Sequence, residues 1–170
     1  DETVSKYISC WFTRENYPNN TQLYNLKTGN LILKCASLKQ YDVWFDDRFN
    51  IIGSSDSYFG IQILKKGAKI NWASQAITYE TIPKDRANLS WLIKRIYRYA
   101  STYTYVLKLE KQYCRLLKKV FVSIIYLIIG ICSIVIVFFP IKKRYWGILK
   151  IANGLGGLAG LGNLMYQEYK

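Results

Sequence analysis

Histidine is absent from this chain, and with it goes the commonest nitrogen ligand for a metal. The four cysteines, Cys10, Cys35, Cys114 and Cys132, form no CxxC pair, so nothing supports a zinc site. Cys132 lies inside the most apolar run, away from the others, and reduced thiols in a cytoplasmic protein are the simplest account. Methionine occurs once, at Met165, and the chain opens Asp1-Glu2-Thr3. With no translation start in view, a fragment or a processed product is expected. No signal-like apolar stretch stands near the N-terminus. Acid nearly vanishes from the second half. Residues 1–85 hold 10 Lys and Arg against 9 Asp and Glu, net +1, whereas residues 86–170 hold 14 against 2, net +12. No zinc-finger, RRM or KH spacing accompanies this charge, and the cations crowd around apolar segments. That arrangement suits an anionic membrane surface, which attracts each nearby cation by about 1 kcal/mol, rather than nucleic acid.

What is present starts with Phe45-Asp46-Asp47-Arg48-Phe49 and Gly53-Ser54-Ser55-Asp56-Ser57-Tyr58-Phe59. Ser57 to Lys66 reads as a short helix closed by Gly67, a residue suited to the left-handed position that ends many helices. Asp56 at its entrance has two possible jobs. It can cap the helix by accepting a backbone N–H, or it can act as a general base on a hydroxyl entering the loop. Arg48 is expected to pair with a nearby carboxylate while Phe45 and Phe49 anchor the loop.

Around this stretch, Tyr7 to Phe12 forms at most a short strand or helical turn, and Tyr17-Pro18-Asn19-Asn20 a turn. Leu31 to Leu33, after Thr28-Gly29-Asn30, reads as a buried strand. Ser37 to Tyr41 is a short helix or turn. Lys69 to Ala73 and Ala76 to Thr81 read as strands joined at Ser74-Gln75. From Asp85 the period changes: Leu89, Leu92, Ile93, Ile96 and Tyr97 share a helical face, with Lys94, Arg95 and Arg98 off it and Asp85 or Asn88 as cap. Such a basic amphipathic helix suits a lipid interface or packing on its own domain.

Phe-Asp-x-Arg-Phe, Gly-x-x-Asp-x-x-Phe and Gly-Ala-x-Ile-x-Trp (ending at Trp72) together resemble the acceptor half of bacterial, membrane-attached family 2 glycosyltransferases. The resemblance runs from about Trp11 to the end. It implies an α/β fold, the acceptor-side half of a GT-A (Rossmann-like) domain, followed by one or two C-terminal transmembrane helices. It makes Asp56 the acceptor-activating base, although Ser55 stands where many members carry Glu. An aspartate is a weak base, so Asp56 would act through placement. Thr28, Gly29, Asn30 and Ser55 would bind the acceptor, against an ordinary turn as the plain alternative. Arg86 and Arg95 would meet phosphate through bidentate bonds. Glu80, where relatives carry His or Glu, would ligate a divalent metal, Mg²⁺ or Mn²⁺, or remain a solvated carboxylate paired with Lys84 or Arg86. Asp46-Asp47 lacks the Asp-x-Asp spacing of the family's metal motif. That motif and the nucleotide-binding strands belong to the family's first half, which this chain does not contain, so the 170 residues alone are expected to be inactive.

Val120 to Phe139 is a 20-residue run without charge, ending at Pro140, and is long enough to cross a ~30 Å hydrocarbon core. After Lys142-Lys143-Arg144, read as a loop, Ile148 to Met165 carries Lys150, Asn153, Asn163 and five glycines. The glycines suit close helix packing in a second membrane helix, or the segment is re-entrant or interfacial. The organisation expected is a partial catalytic domain over 1–84, a basic interfacial helix over 85–119, a transmembrane helix over 120–140 and the Gly-rich segment over 145–166. The implied function is inverting transfer of a sugar from a nucleotide-sugar donor to a glycan or glycolipid hydroxyl. It would take place at the cell membrane with the catalytic part cytoplasmic, membrane lipid as partner and no nucleic acid. A non-catalytic basic membrane protein, remnant or scaffold, and a polyprenyl-phosphate sugar transferase are the alternatives.

Overall fold

The computed structural model describes residues 15–135 and 141–167, excepting the side chains of 141–143. The expectation for Tyr7 to Phe12 falls outside these residues, as does the last part of the apolar run, 136–140. The described residues are mostly helical, 62% helix and 3% strand, which overturns the expected Rossmann-like α/β half-domain. Among the described residues five α-helices are present: α1 Cys35–Tyr41, α2 Ser55–Lys65, α3 Leu89–Leu109, α4 Tyr113–Val135 and α5 Ile141–Ala159. The strands are β1 Gln22–Leu23 and β2 Ile70–Asn71, paired antiparallel with Gln22 opposite Asn71. A doubly wound sheet needs several buried strands of four to eight residues, and two strands of two residues cannot supply one.

The physical reasons for the missing strands differ. Leu31 to Leu33 is extended at its start and alternates, with Leu31 and Leu33 packed on a core and Ile32 93% exposed. The period of two is real, but the leucines are partly covered by side-chain contact rather than by a neighbouring ladder. Ala76 to Thr81 has no apolar side to bury: Ile77 and Tyr79 are 67% and 96% exposed. Lys69 to Ala73 shrinks to β2, extended by bonds between Trp72 and the backbone of Asn20 and Thr21 at 2.8 and 2.9 Å.

The chain divides into two units. Among the described residues the smaller takes 15–50 and 54–81, and the larger takes 51–53, 82–135 and 141–167. In the smaller unit, Leu26, Val43, Phe59 and Ile63 form the core, with Leu38 and Tyr41 of α1 packed against it. Gly60 on α2 is part of that packing, since a Cβ there would lie 2.7 Å from the Leu26 Cβ. Phe45 stacks on Phe59 and Phe49 on Tyr58, each at 4.6 Å between centroids. The two loop phenylalanines are thereby anchored on α2.

The larger unit is a helical assembly in which α5 packs against both α3 and α4. Asn88 caps α3 by accepting from the Trp91 N–H at 2.9 Å, and Leu92, Ile96, Leu149 and Ala152 make the core between α3 and α5. Helix α3 stops at Leu109, and Lys111 takes a left-handed φ of 52° before α4 begins. The expected helix over 85–119 is thus two helices.

The segment 141–159 is one continuous helix; Lys142-Lys143-Arg144 is its first turn rather than a loop, and Gly160–Gly162 adds a 3₁₀ turn. Glycine in a helix interior costs about 1 kcal/mol relative to alanine, and here close approach offsets it. A Cβ on Gly154 would stand 2.6 Å from the Ser123 carbonyl oxygen of α4, and Gly156 and Gly160 meet the Tyr97 and Ser101 carbonyls of α3. The polar residues on this segment find partners as well. Asn153 accepts from Lys119 Nζ at 2.9 Å, Asn163 accepts from Lys108 Nζ at 3.2 Å, and Lys150 Nζ lies 3.7 Å from the Tyr126 ring centroid.

Among the described residues one helix, α4, is long and apolar enough to cross a membrane. Its most apolar window is only 17% buried, whereas the core helix of a soluble protein would be mostly covered. Phe121, Ile124, Ile128, Ile131 and Val135 are all exposed, an apolar surface larger than soluble monomers ordinarily leave in water. Ser123 and Ser133 donate to the carbonyls four residues back, which satisfies their hydroxyls within the helix.

Candidate functional site

The first candidate site begins with the turn before α2. Gly53 and Ser54 both have positive φ, 76° and 68°, so the chain reverses sharply and delivers Ser55 and Asp56 into the first helical turn. Ser54 holds the cap position without a side-chain bond. Asp56 is therefore one step inside the helix, not at its cap. Its Oδ1 accepts the Ser57 N–H at 2.7 Å, and its Oδ2 has no partner among the described residues. The carboxylate is half-buried and lies where a helix N-terminus favours negative charge.

Thr28–Asn30 forms a 3₁₀ turn, and all three residues are exposed. Asn30 Nδ2 donates to the Ala76 carbonyl, tying this turn to the loop after β2. Arg48 donates through Nε and Nη2 to both oxygens of Asp46, which holds that carboxyl below the usual carboxylate range. The pairing expected for Arg48 is thus with Asp46. Glu80 is exposed in a segment without regular structure. Among the described residues no three Asp, Glu, Cys or His side chains come together. A divalent cation needs several oxygen donors, and Glu80 alone does not make a set.

A second site lies in the larger unit. A cleft of about 240 Å³ opens along the first turns of α3, with Asp85, Trp91, Lys94, Arg95, Arg98 and Tyr166 in its walls. Arg95 lies over the Trp91 ring at 4.9 Å, a cation–π contact that fixes the guanidinium at the cleft wall. Arg86 is in the 3₁₀ turn Lys84–Arg86 and does not line the cleft. Of the two arginines assigned to phosphate from the sequence, the structure places Arg95 in a basic cleft, together with Lys94 and Arg98, which were not assigned. Their signal was legible: residues 91, 94, 95 and 98 repeat at three and four, so they share one side of a helix. Tyr166 carried no such signal, because it reaches the cleft from the far end of the chain.

Comparison with protein-family profiles, with curated proteins and with solved structures gave no match to this chain.

Proposed function

We propose that this chain serves inverting sugar transfer at a membrane, with Asp56 as the base that activates the acceptor hydroxyl. In this reading Asp56 Oδ2 takes the hydroxyl proton. The acceptor oxygen attacks the anomeric carbon, and the bond from that carbon to the nucleotide diphosphate breaks, leaving the new glycosidic bond with inverted configuration. The observation that carries the reading is the carboxylate of Asp56. One oxygen is fixed by the Ser57 N–H, and the other has no partner among the described residues, at the end of a sharply turned loop. A base must be positioned before its basicity matters. Thr28, Gly29, Asn30 and Ser55, in the same unit as Asp56, are the acceptor contacts in this proposal. The exposed apolar face of α4 supports attachment to the cell membrane. Nucleotide sugars are cytoplasmic, so the residues around Asp56 face the cytoplasm. The proposal concerns the reaction and not a Rossmann-like fold.

A second reading rests on the same bond. Oδ1 on the Ser57 N–H satisfies one of the free donors of the α2 first turn, a structural task worth about 1 kcal/mol. A non-catalytic membrane protein needs nothing more of Asp56. Asp56→Asn in membranes carrying the protein in its native length separates the two. Sugar transfer from radiolabelled nucleotide sugars should fall by about 100-fold or more, with the circular dichroism unchanged. Transfer at the original rate would leave Asp56 a structural residue.

A further inference from the structure

Helix α4 has two unlike sides. Ser123, Gly130 and Ser133 are buried, and this small-residue side packs against α5, where a Cβ on Gly147 would stand 2.9 Å from the Gly130 carbonyl oxygen. On the opposite side Leu117, Phe121, Ile124, Ile128, Ile131 and Val135 are between 44% and 71% exposed. Their separations along the chain are four, three, four, three and four residues. A helix that meets only lipid needs apolar side chains in no particular order. A repeat of 3.5 residues is the seam of a left-handed helix pair, in which large side chains of one helix enter the gaps of the other.

Lipid accounts for part of this side and not for all of it. Leu117, 71% exposed, stands before the uncharged run begins at Val120, between Arg115 and Lys118-Lys119. Headgroups and water surround a helix at that level, so hydrocarbon does not cover the leucine. The six side chains together expose an area on the order of 700 Å², close to the ~800 Å² that each partner of a standard interface buries. Charge does not oppose the contact. Lys118 is one step off the seam, and in a parallel pair its position meets that of Tyr113 on the other helix, an aromatic ring for an ammonium.

We propose that α4 pairs with α4 of a second copy of this chain, parallel and in register, through this seam. Parallel pairing follows from insertion of both copies in one orientation, with the two-fold axis along the membrane normal. Helix α5 stays on the far side of α4 from that axis. Ile124, Ile128, Ile131 and Val135 are stiff at χ1, so they lose little side-chain freedom when they pack. Cys114 is exposed and continues the repeat, three residues before Leu117 and seven before Phe121. In register, the two Cys114 thiols face each other across the axis. Cys132 is one residue past Ile131, off the seam, and keeps facing lipid. The inference uses α4 as a membrane helix and does not depend on sugar transfer by Asp56.

Disulfide formation in native membranes carrying the full chain tests the pairing. Cys114 is kept as the single cysteine, the other three are changed to serine, and the membranes are treated with copper phenanthroline in air. Cross-linked pairs should form at least about tenfold faster than in a chain whose single cysteine is Cys35, because a paired thiol meets its partner at a much higher effective concentration. Cys35 is exposed but lies outside α4, so it reports random encounter. Ile128→Ala, on the seam, should lower the Cys114 yield about fivefold, and Ile129→Ala, one step off it, should leave the yield unchanged. Ile128 and Ile129 are 57% and 38% exposed, so neither substitution empties a core. Cys114 linking no faster than Cys35 would leave lipid as the sole cover of α4 and overturn the pairing. So would equal yields from the Ile128→Ala and Ile129→Ala proteins. A negative result here leaves the Asp56→Asn transfer assay untouched, so the two readings fail separately.

Discussion

Asp46 and Arg48 stand two residues apart, and the fork of Arg48 reaches both oxygens of the carboxylate while the Arg48 N–H donates to the same group. The hydrogen bonds from the Arg48 side chain lower the Asp46 pKa, and the backbone bond and the charge of Arg48 add to them. A carboxyl lowered in the folded state stabilises the fold above its unfolded value. It loses that contribution as pH falls through the folded one. Unfolding followed between pH 6 and pH 2 should therefore show stability declining on the acid side, and Asp46→Asn should remove part of the slope. The effect is small, below about 1 kcal/mol, because the pair faces solvent. A variant with an unchanged slope would show that the pair contributes nothing to pH dependence. At this scale the sequence was partly legible. A carboxylate partner for Arg48 could be read from spacing. The exact place of Asp56 could not, because the left-handed Gly53–Ser54 turn moves the helix start back and puts Ser54 at the cap.

Among the elements, α5 departs furthest from its local signal. Glycine at 147, 154, 156 and 157, with Lys150 and Asn153 between them, weakens both helix propensity and apolar character. Those same residues are what the neighbouring helices require. Gly147 and Gly154 let α4 approach, Gly156 and Gly160 let α3 approach, and Lys150 and Asn153 meet side chains of α4. A single segment's pattern cannot show this, since the partners lie 14 to 59 residues away. Gly154→Ala places a Cβ 2.6 Å from the Ser123 carbonyl oxygen and should destabilise the helical unit by about 1–3 kcal/mol. Gly162→Ala is the control, because the nearest atoms are at ordinary contact distance there, and its thermal midpoint should not move. Thermal unfolding in detergent, followed by circular dichroism, compares them. Equal midpoints for both variants would contradict the close packing. The short strands are the opposite case. Leu31 to Leu33 alternates as a strand should, yet alternation shows only that two side chains turn toward a core, not that a second strand covers them.

For the whole molecule, the long uncharged run of the sequence and the exposed apolar helix of the structure agree on α4. The larger misreading was of fold class. The motifs carrying the resemblance describe turns and a helix entrance, and those exist, but they do not oblige the chain to form a sheet. Membrane attachment is the claim on which the localisation and the orientation of Asp56 both depend. Cysteine reactivity tests it most directly. Cys35 and Cys132 are both exposed on the protein itself, so only lipid can make them differ. In single-cysteine variants, with the remaining three cysteines changed to serine, intact membranes are treated with a water-soluble maleimide, which needs a hydrated thiolate. Cys35 should be modified once the reagent reaches its side of the membrane, as in inside-out vesicles. Cys132 should stay unmodified on either side and react only after the chain is unfolded in detergent. Cys132 reacting in membranes as fast as Cys35 would contradict a spanning α4, and the membrane account would fall with it.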